Sequence, residues 1–69
     1  MAEVTLAKGA GTPVSTGQTV ACKGGSANFI NNADGRTIRG IGNGQYCVMN
    51  WAGDVSAVAN VDDTVLVIE

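Results

Sequence analysis

Residues 45–51 read QYCVMNW, and the alternation of their side chains decides the fold. On an extended strand, successive side chains point to opposite faces. Cys47, Met49 and Trp51 then share one face, and Tyr46, Val48 and Asn50 share the other. The first set is apolar and is expected to line the core. Trp51 supplies its largest side chain, and an aromatic residue buries roughly 150–250 Å². The second set is expected to face solvent or a partner. Exposed Tyr is enriched at interfaces, so Tyr46 is the expected contact residue, with Asn50 on the same face.

The same alternation appears outward along the chain. EVTLAK (3–8) places Val4 and Leu6 on one face, and GAGTP (9–13) breaks the run. QTVACK (18–23) places Val20 and Cys22 together, GGS (24–26) interrupts, and ANFIN (27–31) follows. NNADG (31–35) is the strongest turn signal, because Asp and Gly both tolerate the positive φ of tight hairpin loops. RTIRGI (36–41) comes next, then GNG (42–44), read as a hairpin connection into QYCVMNW.

In DVSAVANV (54–61), Val55, Ala57, Ala59 and Val61 alternate as in a strand. Val58 and Val61 also lie at helical spacing, and Asp54 could cap a short helix; the strand is preferred. Thr64 to Ile68 is β-branched apart from Leu66 and is read as a strand buried on both faces. No apolar stripe keeps helical spacing for three turns. The expectation is an all-β domain: a small antiparallel barrel or compact sandwich of six or seven short strands. Residues 1–69 form one domain, in which 1–18, rich in Gly, Thr and Ser, are a candidate flexible arm.

Composition narrows the function. Charged residues are 14 % of the chain, below the ~25 % of ordinary domains, which leaves a neutral surface suited to burial against other subunits. The net charge is −2, and the four cations Lys8, Lys23, Arg36 and Arg39 are scattered. Nucleic-acid affinity needs clustered cations, so no nucleic-acid partner is expected. No apolar run approaches the ~20 residues of a membrane helix, so no membrane role is expected. MAEVTLAKGAG (1–11) lacks the basic start and apolar stretch of a signal peptide. Cys22 and Cys47 allow one disulfide, worth about 3 kcal/mol, or two buried thiols. Without an export signal, reduced thiols are favoured.

The chain has no His, which removes the commonest general base and metal ligand. Ser-His-Asp and Cys-His catalysis are excluded, and two Cys alone do not complete a zinc site. Neither an enzyme nor a bound cofactor is expected. Asp62 and Asp63, with Asn60, could touch a Ca²⁺ ion in a turn, but a solvated turn is preferred. GIGNG (40–44) is not the dinucleotide fingerprint and lacks a surrounding βαβ unit. NADGRT (32–37) shares Asn, Asp and Gly with an EF-hand loop but lacks its closing Glu. Arg36 and Arg39, three apart, could grip a phosphate or a carboxylate and join the candidate interface residues.

The opening MAEVTLAKGAGTP (1–13) and the close NVDDTVLVIE (60–69) resemble the small capsid-decorating or cementing proteins of tailed bacteriophages. The resemblance is one of general character. It implies a compact β domain in the virion that binds major capsid protein at local symmetry axes, often as trimers, and reinforces the shell. It transfers no functional residue. The expectation is therefore a non-catalytic structural assembly protein whose partner is capsid protein or copies of itself. A secreted single-disulfide β module, antimicrobial or protease-inhibitor-like and stapled by Cys22–Cys47, is the alternative. A third reading is a binding adaptor using NNADG and GNG as recognition loops.

Overall fold

The computed structural model describes residues 2–69. Eight strands follow one another: β1 (Ala2–Leu6), β2 (Gly11–Val14), β3 (Thr19–Gly24), β4 (Ser26–Asn31), β5 (Thr37–Gly42), β6 (Tyr46–Val48), β7 (Val55–Ala59) and β8 (Thr64–Ile68). They form two four-stranded antiparallel sheets, ordered β1-β8-β3-β6 and β2-β7-β4-β5. We call these the first and second sheet. No helix occurs among the described residues. The sheets do not close into a barrel, and the strand count exceeds the expected six or seven.

The additional strand is β2. Its sequence GTPV looked like a break because Gly and Pro punctuate turns. Pro13 is nevertheless compatible with a strand here. Ala59 donates to the Ala10 carbonyl and Asn60 to that of Ser26. Backbone groups alternate sides along a strand, so Val55 and Ala57 turn theirs toward β2. Their partners Val14 and Thr12 complete that ladder. Gly11 and Pro13 then point away from β7, and the missing Pro N–H costs no ladder bond. Residues 2–6 and 11–14, within the candidate arm, are thus strands β1 and β2, each paired at a sheet edge. Residues 55–59 are strand, not helix.

One apolar cluster fills the space between the sheets. Val20, Cys22, Cys47, Leu66 and Ile68 come from the first sheet; Val14, Ala27, Phe29, Ile41, Val55 and Ala57 come from the second. Met49, just past β6, is fully buried among them. Burying such side chains is worth about 1.5–3 kcal/mol each. Trp51 lies beyond the end of β6 and is half-buried, its ring tilted against Phe29 at 5.5 Å between centroids. It closes one end of the core, whereas Cys47 and Met49 lie inside it.

GNG makes a turn, with Gln45 donating to the Gly42 carbonyl, but not a hairpin. β5 belongs to the second sheet and β6 to the first, so the turn is a crossing between layers. β8 also departs from expectation. Thr64, Leu66 and Ile68 are buried, but Val65 and Val67 point outward and are half-buried.

Candidate functional site

The outward face of the first sheet carries two of the three exposed large apolar side chains among the described residues; the third, Val61, lies in the turn before β8. Tyr46 is 69 % exposed and Val48 41 %. The strand registers show what surrounds them. Tyr46 lies opposite Ala21, Ala21 opposite Val67, and Val67 opposite Glu3. One row therefore crosses all four strands as Tyr46–Ala21–Val67–Glu3. Val48 flanks it opposite Thr19. Val65 flanks it on the other side, between Thr5 and Gly24. Because Ala21 is small and Gly24 has no side chain, Tyr46, Val48, Val65 and Val67 stand as the main apolar relief of this face.

The charges on this face neutralise each other. The Lys23 ammonium meets the Glu3 carboxylate at 3.6 Å, although β8 lies between their strands. The pair therefore arches over the outward side of β8. Half-exposed ion pairs contribute at most about 1 kcal/mol, so its main effect is to leave the apolar row without net charge.

The other expected contact residues do not join this face. Asn50 is exposed in the loop after β6. Arg36 and Arg39 belong to the second sheet's β4–β5 hairpin and are exposed. Arg36 approaches Asp34 at 3.8 Å in the loop between those strands. The loop is held by its own bonds: Gly35 donates to the Asn31 carbonyl, Ala33 to Asn31 Oδ1 and Arg36 to Asp34 Oδ1. Asp34 thus serves the loop fold. Asp62 similarly accepts the Lys8 N–H at 2.9 Å, and Asp63 sits in the same turn at φ 58°. No cluster of three or more potential metal ligands occurs among the described residues, and no cavity opens there.

Cys22 and Cys47 are free and buried. They share the inward face of adjacent strands but not a pairing position: Cys47 lies opposite Val20, and Cys22 donates its N–H to the Gln45 carbonyl. They are therefore diagonal neighbours, for which Cα atoms stand about 7–8 Å apart. A disulfide needs less than ~7 Å, so this register keeps the thiols apart.

Sequence reading placed Tyr46 outward, as the structure does, but did not name Ala21, Val65 or Val67 beside it. The available signal was that TVLVI is apolar at every position except Thr64. In a two-layer β domain, a strand apolar on both sides puts apolar residues on an outer face. Comparison of the chain with family models, curated proteins and solved structures finds no match.

Proposed function

We propose that this chain is a non-catalytic structural assembly protein that works by docking the outward face of its first sheet on a protein partner. We read the two sheets as the layers of a compact sandwich that presents this face. The observation that carries the proposal is the outward-facing Tyr46–Ala21–Val67 row, with Tyr46 exposed and Val48 and Val65 beside it. An aromatic anchor in an apolar surround, bordered by a self-neutralised ion pair, has the composition of an interface centre. The opening and closing segments, which resemble phage cementing proteins, supply the setting: the partner is a capsid lattice and the protein reinforces it. The diagonal placement of Cys22 and Cys47 speaks against the stapled secreted module.

Replacing Tyr46 by Asp tests the docking face. The side chain is mostly exposed, so the fold should persist with an unchanged circular dichroism spectrum. Particles sedimented from the native source and imaged by electron microscopy should carry the unaltered chain. Purified particles stripped of it should rebind the unaltered chain and lose at least about tenfold in affinity for the variant, as expected at an aromatic hot spot. Absence of the chain from particles, or equal rebinding by the variant, would defeat the proposal.

A further inference from the structure

Two sheets have four edges, and three of them resist pairing. β2 presents Pro13 on its outward side, where a partner strand would need an N–H. β5 is bulged opposite Phe29 and Ile30 and carries Arg39, with Arg36 just before it. β6 is three residues long. Proline, bulges, charges and short length are the ordinary devices that blunt sheet edges. β1 has none of them except one charge, Glu3, which is already engaged by Lys23. It pairs through all five residues without a register shift.

The hydrogen-bonding side of β1 follows from its neighbours. Glu69 donates to the Thr19 carbonyl at 2.8 Å, so Val67 and Val65 also turn their backbone groups toward β3. Thr64, Leu66 and Ile68 then face β1 and bond to Leu6, Val4 and Ala2. The N–H and C=O groups of Glu3 and Thr5 are left pointing away from the sheet. Among the described residues none of these groups has a backbone or side-chain partner.

We propose that β1 pairs with β1 of a second copy, antiparallel about a two-fold axis at Val4, joining two first sheets into one continuous sheet. The proposal rests on the assembly reading above and names the surface that joins copies. Registers centred on Glu3, Val4 or Thr5 keep the outward and inward faces aligned and overlap at least three residues of β1. Centring on Glu3 sets like charges directly opposite each other, which is destabilising. Centring on Thr5 leaves Ala2 opposite Lys8, outside the strand. Centring on Val4 overlaps the whole of β1 and sets Glu3 opposite the partner's Thr5. Those residues then exchange both backbone bonds, and the carboxylate meets a hydroxyl rather than a charge. On the inward face, Val4 meets the partner's Val4 and Leu6 meets the partner's Ala2. This covers two apolar side chains, Val4 and Leu6, that are half-buried at the core's edge.

The test uses two substitutions in the full chain. Thr5→Pro removes an outward N–H and touches no bond to β8, as Pro13 does on β2. The unaltered chain should sediment as a dimer or a multiple of it. Thr5→Pro should weaken that association at least about tenfold, through the loss of interchain hydrogen bonds. In Val4→Cys the two new thiols would face each other at a non-hydrogen-bonded position, where Cα atoms are ~4.5 Å apart, within disulfide range. Mild oxidation should therefore give a covalent dimer bridged at position 4 in both copies, identified by peptide mass. A chain that sediments singly up to its solubility limit overturns the proposal, as does an oligomer that forms no such bridge or survives Thr5→Pro. These results are separable from the assembly reading, which fails if the chain is absent from particles.

Discussion

Gly25 carries the chain from β3 in one sheet to β4 in the other, in a single residue at φ 76°. A Cβ there would meet the side chain of Thr64 and come within 3.0 Å of its Cα. Thr64 has little room to yield. It is fully buried, and its hydroxyl donates to the Val61 carbonyl at 2.8 Å. Gly35, at φ 74° in the exposed β4–β5 loop, has nothing within 4 Å of such a Cβ. The two positions separate backbone preference from crowding. Gly35→Ala should cost about 1 kcal/mol, the penalty of positive φ alone. Gly25→Ala should cost roughly 2–4 kcal/mol, lowering the melting temperature by on the order of 10–20 °C. Equal losses in the two variants, by calorimetry, would remove the steric argument.

At the scale of elements, seven runs were legible as strands, most of them because small or apolar residues recur at every second position; β8 was legible from its β-branched content instead, and the bulge in β5 breaks the alternation there. β2 was not, since only Val14 of its four residues is buried and its Pro acquires an edge meaning only once β7 is beside it. The candidate site was half legible. Tyr46 could be assigned outward from its own strand, but its neighbours Ala21 and Val67 come from strands distant in sequence. No local pattern states which strands lie side by side. Trp51 shows the same limit: the alternation continues past β6, but the strand itself stops at Val48. Trp51 is held there by Phe29 and by Thr16, whose hydroxyl donates to the Trp51 carbonyl at 2.9 Å. Phe29→Leu should cost on the order of 1–2 kcal/mol. It should also shift Trp51 emission to the red as water reaches the indole. Unchanged emission in a destabilised variant would mean that the two rings are not coupled.

For the whole molecule, the core is small enough that each internal side chain matters. A chain of 69 residues has a stability of roughly 3–10 kcal/mol, to which the thiols contribute as small apolar groups. Cys22 and Cys47 should therefore be silent to an aromatic disulfide reagent in the native state. Both should react once the chain is unfolded in denaturant. Reductant should leave the melting temperature unchanged. A native mass two protons lighter than the reduced chain, with a melting temperature that falls on reduction, would show a bridge and reopen the stapled-module reading.

The order of strands in the first sheet also has a consequence in time. β8, the last strand, is inserted between β1 and β3, so neither of those can complete its ladder until residues 64–68 have emerged. Until then β1 has no partner in its own chain, and β3 has only the short β6. Folding must close the largest loop the chain contains before this sheet exists, which places the molecule among the slower of small domains. A chain without residues 64–68 would lack the strand that joins β1 to β3, and the first sheet would have no centre.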